Sequence, residues 1–154
     1  MEGDAGCAMA RVLEIALKSD YDELGRICIS VNEFLESHEL SPRVLYGVNL
    51  ALEEILTNIF KYGYDDECKD HDISVRLEVE GPGVSVQIVD DGNSFDLEKA
   101  PEPDLSIPIS ERTIGGLGIH LVRNMLDTIN YQRVDDKNII ELSIKGEAAC
   151  SGKD

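Results

Sequence analysis

Positive charge is scarce in this chain: 14 Lys and Arg stand against 31 Asp and Glu, a net charge of −17 over 154 residues. Nucleic-acid backbones and anionic membrane surfaces are gripped by Lys/Arg patches, so neither is an expected partner. Any anionic ligand must be held locally, by backbone N–H groups, a metal or a few basic side chains. Cysteine pairing is also missing. Cys7, Cys28, Cys68 and Cys150 are scattered without a C-x-x-C pair, and there are only three histidines, His38, His71 and His120. That pattern argues against a structural zinc site and fits reduced thiols, with Cys28 on an apolar helical face. No apolar run is long enough to span a bilayer, and the opening MEGDAGCAMA lacks a basic region followed by an apolar stretch. The expectation is a soluble, unexported, cytoplasmic protein.

What the chain does have is enough apolar content, 42% of residues, to bury one core. We expect a single domain over 1–154, ordered from about 10 to 145, with a loose tail at 146–154. Arg11 to Lys18 alternates as a strand. Ser19-Asp20 caps a helix from Tyr21 to about His38, and Ser41-Pro42 starts a second that runs to Tyr62 and stops near Gly63. Asp72–Glu80 and Val84–Asp90 form a hairpin across Glu80-Gly81-Pro82-Gly83. Residues 93–116, with prolines at 101, 103 and 108, form a long loop. Ile119, Val122, Leu126 and Ile129 mark a third helix. Tyr131–Val134 and Ile139–Lys145 form a last hairpin around Asp135-Asp136-Lys137-Asn138. This order predicts an α/β (α+β) two-layer sandwich, helices on one face of a mixed, mostly antiparallel sheet.

Three stretches carry chemistry. In the second helix, Glu54 and Asn58 lie one turn apart, opposite a stripe of Leu45, Val48, Leu52, Ile55 and Ile59. A solvated polar face explains them; so does a site in which the Asn oxygen ligates Mg²⁺ and Glu54 orients a hydroxyl. After the first hairpin, Asp90 is in phase with Val84, Val86 and Ile88, and Asp91 points the other way. Asp90 either caps a turn or accepts a hydrogen bond, from a flat amine-bearing ring such as adenine or from a protein donor. The third stretch is TIGGLGIHLV, from Thr113 to Val122. It lacks the G-x-x-x-x-G-K-[ST] spacing and the dinucleotide fingerprint. Its glycines suit a hinge, or a helix start whose free N–H groups meet phosphate oxygens; a closing lid uses both.

Taken together, E-x-x-x-N on a helix, D-x-G after a strand and a glycine-rich helix start after a long loop resemble the N, G1 and G2 boxes of the Bergerat ATP-binding fold. That superfamily unites gyrase, heat-shock chaperone, histidine kinase and mismatch-repair ATPase domains. EILTNIFKYGY, VQIVDDGNSFD and TIGGLGIHLVRNMLD are most similar to the small anti-sigma-factor serine/threonine kinases of bacterial partner-switching systems. The resemblance implies Glu54 as general base and Asn58 as Mg²⁺ ligand. It implies Asp90 and Gly92 at adenine, and residues 93–114 as an ATP lid in which Arg112 reaches the γ-phosphate. Gly115, Gly116, Leu117, Gly118 and Ile119 fall at the triphosphate, with Gly116 and Gly118 facing it. It further implies a homodimer that binds ATP and Mg²⁺, sequesters a sigma factor and phosphorylates an anti-sigma-factor antagonist on Ser or Thr. Tyr62 stands where these kinases often carry histidine, and Ser94 where the wider superfamily carries glycine. Two other functions stay open: a non-catalytic ATP-binding module that only sequesters a partner, and the catalytic domain of a sensor histidine kinase.

Overall fold

The computed structural model describes residues 11–66, 70–94, 106 and 116–147, with the side chains of 116–120 outside that description. The elements run β1 (Val12–Lys18), α1 (Tyr21–Glu36), α2 (Pro42–Tyr62), β2 (Asp72–Glu80), β3 (Gly83–Asp90), α3 (Gly116–Met125), β4 (Thr128–Val134) and β5 (Lys137–Ile144). The five strands form one sheet in the order β1-β2-β3-β5-β4. The two-layer sandwich is as the sequence implies. The sheet is less mixed than expected, because all four pairings are antiparallel.

Helix boundaries follow their capping residues. Asp20 accepts from Asp22 N at the start of α1. Ser41 accepts from Val44 N at the start of α2, with Pro42 in the first turn, where its missing N–H costs nothing. Gly63 closes α2. On the sheet, Ile73, Val75, Leu77 and Val79 of β2 alternate with polar residues, and Val84, Val86 and Ile88 of β3 do the same. Their apolar face meets Ile27, Val31 and Leu35 of α1 and Val48, Leu52, Ile55 and Leu56 of α2 in one core. The opposite face carries Glu14, Arg76, Gln87 and Glu141, joined by pairs such as Gln87 Nε2 to Glu141 Oε1 at 3.0 Å.

The last third departs from expectation in two places. Ile129 belongs to β4, because the third helix stops at Met125. The final turn is shorter than the four residues read from sequence. Asp135 and Asp136 alone make it, both with positive φ, 51° and 62°, the type I′ geometry whose twist matches antiparallel strands. Asp is one of the few residues that tolerates that region. The shorter turn moves Lys137 and Asn138 into β5, and this places a buried polar side chain in the sheet.

Candidate functional site

One row of side chains crosses all five strands. The registers pair Leu17 with Ile73, Ile73 with Asp90, Asp90 with Asn138 and Asn138 with Arg133. The row begins apolar and turns polar at β3. Asp90 and Asn138 are each only 3% exposed.

The phase of β3 turns Asp90 inward and leaves Asp91 exposed, where it accepts from Tyr64 Oη at 3.1 Å. Asp90 Oδ1 accepts from Gly92 N at 2.9 Å and from Asn138 Nδ2 at 3.0 Å. Oδ2 has no partner among the described residues. Burial pushes the Asp90 pKa up. The hydrogen bonds from Asn138 and Gly92 pull it down, Asp91 adds to the rise, and Arg133 opposes it.

Gly92 is a geometric necessity. A Cβ there would lie 2.5 Å from the Gly63 carbonyl oxygen and 2.9 Å from Asp90 Oδ1. The same carbonyl accepts from Asn93 N at 2.5 Å, and Asn93 Nδ2 donates to Asp65 Oδ1 at 3.0 Å. The end of β3 is thus fastened to the end of α2, and this brings Asp90 under Asn58.

Asn58 corrects the reading of α2. The periodicity sets Glu54, Asn58 and Lys61 opposite the core stripe, where water could cover all three. Lys61 is exposed and Glu54 is partly buried, but Asn58 is only 6% exposed. That side of the helix is buried at Gly47 and Ala51 as well, because α3 and β5 pack there. A Cβ on Gly47 would meet Ile144 Cδ1 at 2.7 Å and Met125 Cε at 3.3 Å. Asn58 Nδ2 is fully buried with no hydrogen-bond partner among the described residues. Asn58, Asp90, Gly63 and Asn138 line one cavity of about 10 Å³, room for a single water. Glu54 lies one turn back along α2, and its pKa is pushed up by burial and then by the neighbouring Glu53, with Lys61 opposing.

Sequence reasoning missed Asn138, which the four-residue turn had placed outside the strand. The signal was present: Asn138 is in phase with Ile140, Leu142 and Ile144, all buried, by the same alternation that picked out Asp90.

The histidine kinase-like ATPase domain matches this chain over residues 17–144. The chain belongs to that family. Among relatives of this histidine kinase-like ATPase domain, the serine-protein kinase RsbW of Bacillus velezensis is 31% identical over 125 residues, 78% of this chain and 77% of that one. RsbW of Listeria innocua serovar 6a is 27% identical over 121 residues, 76% and 75% of the two chains. The serine/threonine-protein kinase BtrW of Bordetella bronchiseptica is 28% identical over 105 residues, 67% and 72%. The domain therefore falls in the RsbW-type branch of protein serine/threonine kinases, the branch its three motifs resemble. A solved structure of the RsbU and RsbW domains of a Mycobacterium tuberculosis protein superposes with a TM-score of 0.63 over 90% of this chain, at 13% identity. That likeness concerns the fold, and this chain spans 34% of that longer one.

Of the third motif, Gly116, Leu117, Gly118 and Ile119 form the first turn of α3, so the expected helix start is where the glycines are. Arg112 and Gly115 lie outside the described residues, as does the span 93–114 apart from Asn93, Ser94 and Ser106. Ser94 Oγ shares a hydrogen bond with Tyr131 Oη at 3.0 Å, and Tyr62 is 54% exposed. Among the described residues no helix is long and apolar enough to cross a membrane.

Proposed function

We propose that this protein is an ATP-dependent serine/threonine kinase of the anti-sigma-factor type, which sequesters a sigma factor and phosphorylates an anti-sigma-factor antagonist. The observation that carries the reading is the shared cavity of Asn58 and Asp90. The amide nitrogen of Asn58, buried and without a partner among the described residues, and the inward-turned carboxylate of Asp90 line one space at the end of α2. An unsatisfied amide in a core costs about 1–3 kcal/mol, a cost that a bound ligand offsets.

The donor set fits a purine nucleotide and its cation. Asp90 Oδ2 is an acceptor for an exocyclic amine, and Gly92 lets a flat ring approach the backbone. The Asn58 amide oxygen is a hard neutral ligand suited to Mg²⁺. The first-turn N–H groups of α3, at Gly116, Leu117 and Gly118, have no partner within the helix and suit phosphate oxygens, and Gly115, Ile119 and Arg112 complete that end in this reading. The cavity beside Asp90 is smaller than a purine, so binding requires it to widen, and residues 93–114 serve as the lid. When bound, ATP·Mg²⁺ supplies the transferable phosphoryl group and neutralises its charge. Glu54 accepts the proton of the acceptor hydroxyl as general base, and its raised pKa moves it toward the range in which a carboxylate does this well. In this reading the kinase acts in the cytoplasm as a homodimer.

Labelled ATP, Mg²⁺ and a candidate antagonist bearing an acceptor serine provide the test. Transfer by the wild type that disappears in Glu54→Gln, with nucleotide still bound, supports the kinase. Nucleotide binding without transfer to any candidate returns the non-catalytic, partner-sequestering module. Binding that survives Asp90→Ala unchanged removes the site altogether.

A further inference from the structure

Asn138 is the most connected polar side chain in the described core, and its orientation is fixed by its neighbours. Oδ1 accepts from Tyr131 Oη at 2.6 Å and from Arg133 Nη1 at 2.9 Å. Arg133 can only donate, so a flipped amide would set N–H against N–H, and Nδ2 has to face the other way. There it donates to Asp90 Oδ1 at 3.0 Å, to the Asn93 carbonyl at 2.9 Å and to the Gly92 carbonyl at 3.2 Å. Arg133 Nη1 adds a bond to the Gly92 carbonyl at 2.9 Å. Tyr131 Oη also meets Ser94 Oγ.

We propose that Asn138, held by Tyr131 and Arg133, is a positioning residue for the nucleotide: it occupies one oxygen of Asp90 and anchors residues 92–94, so that only the other oxygen of Asp90 faces the base. This rests on the reading of Asp90 as the base-facing group. A carboxylate has a broad, two-fold torsion about its last bond. Unclamped, Asp90 presents either oxygen in a range of directions and loses the preorganisation that binding a flat ring requires. The clamp comes from the β4–β5 hairpin, which contains none of the three sequence motifs. Its effect is to hold residues 92–94 to the sheet beside Asp90.

The discriminating variant is Asn138→Asp. It keeps the volume and both acceptances from Tyr131 and Arg133, and it sets a carboxylate against Asp90 Oδ1 in place of a donor. The other titratable or charged groups facing Asp90 are Asp91, Arg133 and Tyr64, and the substitution leaves them in place. Mg²⁺·ATP affinity, measured by titration calorimetry at pH 8, is expected to fall about ten- to a hundredfold, the loss for a buried hydrogen bond to a charged group. It should recover in part at pH 6, as one proton shared by the two carboxyls restores a donor; wild-type affinity should not improve on acidification. Without nucleotide, carbon-13 NMR should show the Asp90 carboxyl titrating at higher pH in Asn138→Asp than in wild type. Tyr131→Phe removes one donor to Oδ1 and leaves the strand packing, and should weaken binding about three- to tenfold; it decides the matter if Asn138→Asp does not fold. An Asp90 titration unmoved by Asn138→Asp, or affinities equal to wild type in both variants, overturns the proposal. Wild-type protein that binds no nucleotide refutes the reading of the site, and the Asp90 titration then still decides whether the clamp exists.

Discussion

Gly92→Ala and Gly25→Ala are the same chemical change with opposite expected signs. At Gly92 the new Cβ would sit 2.5 Å from the Gly63 carbonyl oxygen, 3.0 Å from its carbon and 2.9 Å from Asp90 Oδ1. Ordinary contact begins at 3.4 Å, so reaching it means widening the gap to the carbonyl oxygen by 0.9 Å. Neither wall yields cheaply. One is backbone at the end of α2, and the other is a carboxylate held by Asn138 and the Gly92 amide. Widening the gap also stretches the 2.5 Å bond from Asn93 N to the Gly63 carbonyl. Overpacking costs about 1–3 kcal/mol, and a lost backbone hydrogen bond adds about 1, so the expected loss is roughly 2–4 kcal/mol. A domain has about 5–15 kcal/mol in total, so the variant should still fold and be measurable. With a urea slope of about 2 kcal/mol/M, the midpoint should fall by roughly 1–2 M. At Gly25, on the exposed side of α1, an added Cβ meets nothing within 4 Å. Alanine there should stabilise by about 0.5–1 kcal/mol, because glycine loses more backbone entropy in a helix. Urea unfolding followed by circular dichroism compares the two. A Gly92→Ala loss below about 0.5 kcal/mol, within the range of ordinary surface changes, refutes the claim that β3 is fastened to α2 at this point.

The other expectations are smaller or concern pH. Asp90→Asn should abolish nucleotide binding without destabilising the fold at pH 7, since an amide oxygen still accepts from Gly92 and Asn138. The sign follows from burial: the folded pKa of Asp90 lies above its unfolded value, so the wild type gains stability as pH falls through the folded pKa toward the unfolded one. The variant lacks that gain, and denaturant curves at pH 7 and pH 4 should show the difference shifting toward the wild type at pH 4. Asp20→Ala removes the cap on Asp22 N and should cost about 1 kcal/mol in thermal unfolding. Gly47→Ala meets chiefly Ile144 Cδ1 at 2.7 Å, the end of a flexible side chain. It should therefore cost less than Gly92→Ala, about 1 kcal/mol; an equal or larger loss would show that α2 cannot move relative to β5.

The amino-acid sequence by itself determined the local structure and the inward phase of Asp90. Helix boundaries were legible at Asp20, Ser41-Pro42 and Gly63, because capping is a short-range hydrogen-bond requirement. The inward choice of Asp90 over Asp91 was legible because strand side chains alternate with a fixed period. What periodicity could not supply was the environment of each face. On α2 it found the face of Glu54 and Asn58 but left open whether water covers it, whereas α3 and β5 close over Gly47 and Ala51 and carry Asn58 into the core. A helix has one sequence and several neighbours, and only packing decides how many of its faces are covered. Asn138 shows the limit in a strand. Placing it needed the type I′ turn at Asp135-Asp136 and the β3–β5 register, which join residues 48 positions apart. Pairing at that separation is decided when the sheet assembles, and it joins the last hairpin to the carboxylate that the first hairpin had already turned inward.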